Sequence, residues 1–307
     1  MTDTQNEVFK TPVNKIRLFE HGAPGSQNLK LTRKYYTEDM PDGRVKHIVQ
    51  NITDPDIVPY IPDGIGNSTD RQRIPAVLII PGGAFRRLVY NFEGEDVAKW
   101  LNSMGIAAFV LECRLPSDEH DNAEDVPLID AMRAMRVIRG RAQEFGIDEA
   151  KIGVMGFSAG GFMAALLSTA YESDVYADYK YKDEYDKLSA RPDFAVCSYP
   201  VISIDDCIEA GKRYMSEEQV LERISDSKAK ILHKYNPDKL VRPDMPPVFI
   251  CETDDDRTTL SENSVGFYMA ARKAGVSAEL HIFRTGGHGY GCGDDFAQTG
   301  EWKVLFT

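Results

Sequence analysis

The 307-residue sequence has little cysteine, few features of a secreted or membrane protein, and no excess of positive charge. Its five cysteines, at 113, 197, 207, 251 and 292, are an odd number, widely spaced and without a C-x-x-C pair. They read as reduced thiols, not as a disulfide framework. No run of about 18 apolar residues is present, which excludes a transmembrane helix of the usual length. The first 28 residues are polar and lack an apolar signal region, so the expected location is cytoplasmic. Lysine and arginine total 36 against 48 aspartates and glutamates, a net charge of 36 − 48 = −12. Such an acidic chain is expected to bind neither nucleic acid nor an anionic membrane. Histidines and cysteines lack metal-ligand spacing, the Asp254–Asp256 cluster is too local for a metal cage, and no G-x-G-x-x-G or phosphate loop follows a strand. Neither a metal nor a cofactor is expected.

What is present is an ordinary globular composition, 42% hydrophobic and 10% aromatic, with a change of pattern along the chain. Residues 1–28 read as a loose entry arm. Leu29–Tyr36 and Val45–Ile52 alternate polar and apolar residues, as antiparallel edge strands do, with Pro41-Asp42-Gly43 as the turn between them. Pro55–Arg73, rich in proline, glycine and aspartate, reads as loop. Buried strands then alternate with helices: strands at Ala76–Ile80, Ile106–Leu111, Lys151–Met155, Phe194–Tyr199, Val248–Glu252 and Ala278–Phe283, and helices at Glu93–Met104, Val126–Phe145, from Phe162 on, and at Leu260–Ala274. Residues 203–242 contain helical stretches such as Glu217–Ile224. Continuous apolar strands separated by helices imply an α/β fold with a mostly parallel sheet covered on both faces. Segments 171–192 and 203–242 read as excursions over that sheet. No linker, repeat or low-complexity tract divides residues 1–307, so a single domain is expected.

The chemistry centres on Gly156-Phe157-Ser158-Ala159-Gly160, a G-x-S-x-G pentapeptide between a buried strand and a helix. That is the context of a nucleophile elbow, in which a serine sits on a tight turn that glycines keep free of Cβ clashes. A serine hydroxyl needs a base, and the base needs an orienting group. Of the three later histidines, His233 lies in a helical segment and His281 in mid-strand. His288, within Gly286-Gly287-His288-Gly289, follows the last strand on a glycine loop and is the candidate base. The acid belongs to the turn after Glu252, where spacing alone leaves Asp254, Asp255 and Asp256 open. Backbone donors for an oxyanion are expected from Ala159, directly after the serine, and from Pro81-Gly82-Gly83-Ala84-Phe85. Arg86 and Arg87, beside that loop, are candidate substrate contacts.

Several segments between about Ile74 and Tyr290 together resemble the α/β-hydrolase esterases of the acetyl-xylan-esterase-like, hormone-sensitive-lipase-related group. They are Pro81–Phe85, Arg114-Leu115-Pro116, Asp130 with Arg133-Ala134, Gly156–Gly161, Arg191–Phe194, Tyr199-Pro200-Val201, Pro246-Pro247, Glu262-Asn263-Ser264 and Gly286–Gly289. The resemblance implies an α/β-hydrolase fold and a triad of Ser158, His288 and an aspartate set a fixed distance before Asn263-Ser264, which selects Asp256 over Asp255. It also implies oxyanion donors at the amides of Gly83, Ala84 and Ala159. The chain departs from the group at Cys113, where relatives often have tyrosine, and at Arg257-Thr258-Thr259-Leu260, where they usually read Val-Val-Pro. The expected activity is cofactor-free hydrolysis of a short acyl ester, acetyl foremost, of a carbohydrate or small alcohol, so the expected partner is a small-molecule or oligosaccharide ester. A formamidase or other amidase or peptidase on the same scaffold, and a non-catalytic hydrolase-like binding protein, are the competing readings.

Overall fold

The computed structural model describes residues 9, 13–64, 73–216, 218–220, 229–293 and 298–306. Its strands are β1 (Ile16–Arg17), β2 (Lys34–Asp39), β3 (Val45–Gln50), β4 (Asp56–Tyr60), β5 (Ile74–Ile80), β6 (Leu88–Val89), β7 (Ala107–Glu112), β8 (Ile147–Phe157), β9 (Ala195–Ser198), β10 (Val248–Thr253) and β11 (Ala278–Phe283). Eight of them form one sheet in the order β1-β4-β7-β5-β8-β9-β10-β11. From β7 to β11 every neighbouring pair is parallel, and the antiparallel pairs lie at the β1/β4 margin. The central strands read as continuous apolar runs because both faces are covered: Ala76–Ile80 and Ala107–Leu111 are buried throughout.

The helices are α1 (Asp96–Ser103), α2 (Val126–Gly140), α3 (Ala142–Phe145), α4 (Ala159–Ala170), α5 (Ile204–Tyr214), α6 (Ala229–Lys234), α7 (Ser261–Lys273) and α8 (Trp302–Phe306). Helix α4 is apolar around its whole circumference and buried from Ala159 to Thr169, as a helix enclosed by other elements must be. It packs on β8 and β9 and against α2. The single helix expected over Val126–Phe145 is broken at Arg141 into α2 and α3, and Gly146 in the left-handed region closes it. Of the expected stretch Glu217–Ile224, only 218–220 lie within the described residues, and they are helical.

Three expectations about the N-terminal third need correction. Leu29–Tyr36 and Val45–Ile52 do not edge the main sheet. Strand β3 pairs with β2 on one side and with β6 on the other in a separate three-stranded antiparallel sheet. The antiparallel margin of the main sheet comes from β4, inside the segment read as loop. Pro59 misleads there, since an edge strand tolerates a residue without an N–H: β1 covers only Ile57 and Asp56, leaving Pro59 beyond its reach. The entry arm is also fastened. Leu18, Phe19 and Ala23 are buried, and Arg133 Nε donates to the Leu18 carbonyl at 2.8 Å. Residues 65–72 of the loop and 1–8 and 10–12 of the arm lie outside the described residues.

Charged pairs tie these layers together. Arg114, just after β7, and Asp130, in α2, are both fully buried and joined by a fork of bonds, Arg114 Nη2 to Asp130 Oδ1 at 2.6 Å and Nε to Oδ1 at 3.0 Å. The Arg114 amide donates to the same carboxylate at 2.8 Å, and its Nη1 reaches Ser26 Oγ at 2.8 Å. Arg133 holds Asp183, Arg136 donates to the Leu188 carbonyl and Arg139 to that of Arg191, so the 171–192 excursion is strapped onto α2. Replacing Arg114 by methionine strands the fully buried Asp130 carboxylate without its charged partner. The expected outcome is a loss of about 3–5 kcal/mol of stability in urea unfolding.

Candidate active site

The carboxyl ends of β5, β8, β9 and β10 and the loop after β11 converge on one point, the end of a parallel sheet where backbone loops are free to carry side chains. Ser158 stands there between β8 and α4 with φ 54° and ψ −118°, a conformation costing about 1–3 kcal/mol for a residue with a Cβ. The glycines make it possible. A Cβ on Gly156 would sit 2.0 Å from the Gly160 carbonyl oxygen, and one on Gly160 would sit 1.9 Å from that of Ile80. Strand end, helix start and neighbouring strand therefore touch backbone to backbone, and Ser158 is pushed out at the apex.

Ser158 Oγ lies 2.8 Å from His288 Nε2, and His288 Nδ1 lies 2.6 Å from Asp256 Oδ2. A carboxylate at Nδ1 places the proton there and leaves Nε2 as the acceptor facing the serine. Asp256 is 2% exposed. Burial would raise its pKa, but the bond and charge of His288 and the amides of Thr259 and Thr258 outweigh it and hold the carboxyl below its ordinary value. Those amides donate to Asp256 Oδ1 at 3.0 and 2.7 Å, and the Thr259 hydroxyl donates to Oδ2 at 2.9 Å. The departure at Arg257–Leu260 is thus the cradle of the acid. Glu252 lies beside it; burial and the Asp256 charge push its pKa well above the ordinary range, so of the two acids Asp256 keeps the charge. Asp255 does something else. Its Oδ1 accepts the amides of Gly286 and Gly287 at 2.9 and 2.8 Å and so fixes the histidine loop. His281 instead meets Glu279, at 2.6 Å within its own strand.

The Pro81–Phe85 turn approaches from the other strand. Gly83, Ala84 and Phe85 have φ of 138°, 58° and 59°, and the turn is closed by the Arg86 amide on the Gly83 carbonyl at 3.2 Å. The amides of Gly83 and Ala84 donate to no other described group. Gly83, Ala84 and Arg87 line a cavity of about 230 Å³ together with Ser158, Thr258, His288, Gly289 and Glu93. Ala159 is the first residue of α4, where an amide has no partner within the helix. Arg86 is exposed and does not line the cavity; its neighbour Arg87 does, while pairing with Glu38 at 2.5 Å.

Two residues without an assigned role in the sequence hold the site together. Glu93 is buried in a π-helical turn, Asn91–Glu95, ahead of α1. Its Oε2 accepts the Gly82 amide at 2.8 Å and its Oε1 accepts the Tyr199 hydroxyl at 3.0 Å. Tyr199, at the end of β9, accepts the Gly291 amide at 3.0 Å and sets its ring edge-on to His288 at 5.1 Å. Burial raises the Glu93 pKa, against the opposing pull of His288, the Gly82 amide and Tyr199. Trp302 closes the far side by donating to the Gly291 carbonyl at 3.1 Å. The sequence offers no signal for Glu93, one of three acids in Asn91-Phe92-Glu93-Gly94-Glu95-Asp96, and none for the Tyr199 conformation, φ 36°. A larger depression of about 510 Å³ lies at the opposite, amino end of β9–β11, among Phe194, Pro247 and Ser277, and contains no part of this arrangement.

Residues 65–270 match the BD-FAE family, more than half of the chain. The chain is 31% identical over 223 residues to an acetylxylan esterase of Xylanibacter ruminicola, covering 72% of this chain and 42% of that protein. It is 31% identical over 227 residues to endo-1,4-beta-xylanase B of Butyrivibrio fibrisolvens, covering 74% and 34%. The chain thus spans less than half the length of these relatives. The crystal structure of an acetyl ester-xyloside bifunctional hydrolase from Caldicellulosiruptor lactoaceticus superposes with a TM-score of 0.66 at 36% identity, covering 83% of this chain and 87% of that one. The sheet order, the elbow and these matches lead to one conclusion: the chain belongs to the BD-FAE family and has the α/β-hydrolase fold of that esterase group.

Proposed function

We propose that the protein is a serine esterase that removes short acyl groups, acetyl foremost, from carbohydrates or small alcohols through an acyl-enzyme. The observation that carries this reading is the hydrogen-bonded line from Ser158 through His288 to Asp256, opening into a cavity. The names of the relatives, an acetylxylan esterase and an acetyl ester-xyloside hydrolase, point to acetyl esters on xylan-derived sugars. The polar residues in the lining, Arg44, Lys46, Arg87 and Thr258, suit a sugar better than a long alkyl chain.

In this reading Ser158 Oγ attacks the ester carbonyl carbon as its proton passes to His288 Nε2. The oxygen that gains charge is received by the amides of Gly83, Ala84 and Ala159, whose donors are already fixed and need not reorganise. The imidazolium then gives its proton to the departing alkoxide, leaving the acyl group on the serine. Water, deprotonated by the same imidazole, releases the acid and restores Ser158. Asp256 holds the Nδ1–H and balances the transient positive charge, a role open to a carboxyl kept ionised by Thr258 and Thr259. No cofactor enters any step.

Ser158→Ala is expected to lower turnover of 4-nitrophenyl acetate by about a millionfold in kcat. Among 4-nitrophenyl esters and acetylated xylo-oligosaccharides the acetyl esters should lead; preference for long acyl chains, or for N-formylkynurenine, would overturn the proposal. Asp256→Asn should cost about 10⁴-fold in kcat, because the imidazole then takes the wrong tautomer. Asp255→Asn removes only the charge from a side chain whose oxygen can still accept the two loop amides, and should cost about tenfold or less. Equal losses in the two variants would remove Asp256 from the triad.

A further inference from the structure

One wall of the cavity comes from the small antiparallel sheet. Met40, Arg44 and Lys46 belong to the β2–β3 hairpin, and Arg87 and Val89 to the β6 segment paired with it. Three cations therefore face the reacting centre in a chain whose net charge is −12. Arg87 is paired with Glu38 at 2.5 Å, and Arg44 Nε with Asp42 Oδ2 at 2.9 Å, and neither carboxylate lines the cavity. Lys46 is half-buried and forms no ion pair or hydrogen bond with any described residue. The one carboxyl in the lining, Glu93, has both oxygens hydrogen-bonded by Gly82 and Tyr199, and the Lys46 charge acts on it through space without a direct contact. The cavity thus presents an ammonium without a close ion pair among the described residues, beside two guanidinium groups and one carboxyl, an excess of positive charge that favours an anion entering with the substrate.

We propose that the cavity selects esters whose alcohol half carries a carboxylate, an acetylated uronic-acid sugar being the carbohydrate form, and that Lys46 on the β2–β3 hairpin is the residue that pairs with it. The proposal rests on the esterase reading above, in which the acyl half is too small to hold a second charge and the anion must lie on the alcohol. It makes the hairpin the specificity element.

The test compares mono-O-acetylated methyl glucuronoside with mono-O-acetylated methyl glucoside, which differ in the carboxylate. Each is assayed with the wild-type protein, Lys46→Gln and Lys46→Glu, after thermal unfolding shows all three folded. The wild type is expected to prefer the uronoside by about tenfold in kcat/KM, through KM, as one exposed charge-assisted bond allows. The preference should shrink with added salt, vanish in Lys46→Gln and invert in Lys46→Glu. A wild-type ratio near one, or a ratio that Lys46→Gln leaves unchanged, overturns the proposal while leaving the esterase intact. Absence of turnover on both sugars and on 4-nitrophenyl acetate overturns the esterase reading, and this proposal with it.

Discussion

The site depends on a buried carboxyl that takes no direct part in the serine–histidine–aspartate line. Glu93 accepts the Gly82 amide on one oxygen and the Tyr199 hydroxyl on the other, and Tyr199 accepts the Gly291 amide. One chain of three bonds thus joins the Pro81–Phe85 turn after β5, the end of β9 and the loop that follows His288. Each of these segments is irregular backbone, and each would otherwise be free to shift relative to the elbow. A fixed geometry matters here because preorganised donors act only where the charge will develop. Desolvation makes such a carboxyl costly, and the cost is offset only while both oxygens stay occupied. Its pKa is accordingly raised by burial and pulled back by His288 and its two donors.

The same logic separates the neighbouring acids of the β10 turn. Asp256 has three donors besides the histidine and keeps its charge; Glu252, with Thr253 and Ser264 as partners, is driven towards the neutral form by burial and by Asp256. Asp255 faces the other way and fastens the glycine loop through Gly286 and Gly287. Asp255 and Asp256 thus each accept two backbone amides, and differ in that only Asp256 also meets the imidazole. The excursion 171–192, rich in tyrosine and charge, is consumed in holding α2 through Arg133, Arg136 and Arg139. It leaves the cavity wall to a hairpin from the opposite end of the chain.

Much of this was legible beforehand, for identifiable reasons. The parallel strands announced themselves as unbroken apolar runs because they are covered on both faces, and the elbow because its glycines flank Ser158 between strand and helix, Gly156 facing the nearby Gly160 carbonyl and Gly160 the distant Ile80. His288 was legible from its glycine loop, and Asp256 from a resemblance tied to Asn263, whose side chain accepts the amides of Ile202 and Ser203 at 2.9 and 3.2 Å. The short β4 was hidden by Pro59, and the pairing of β3 with β6 was hidden because alternation gives a strand's faces and not its partner. The helix α8, with its buried Trp302, offers too few residues for a period to emerge.

By itself, then, the sequence determined the elements set by local and repeated chemistry: the alternation of strand and helix, the turn that exposes Ser158, the glycine loop of His288, and the acidic turn that supplies its partner. Only the tertiary structure decided which aspartate is buried against the imidazole, that Glu93 and Tyr199 brace the site, and that Lys46 rather than Arg86 looks into the cavity. The division has a physical cause. A turn's backbone strain is satisfied by residues adjacent in the chain, whereas burial, hydrogen-bond partners and the field in a cavity are set by segments that meet only after β3, β5, β9 and β10 have packed.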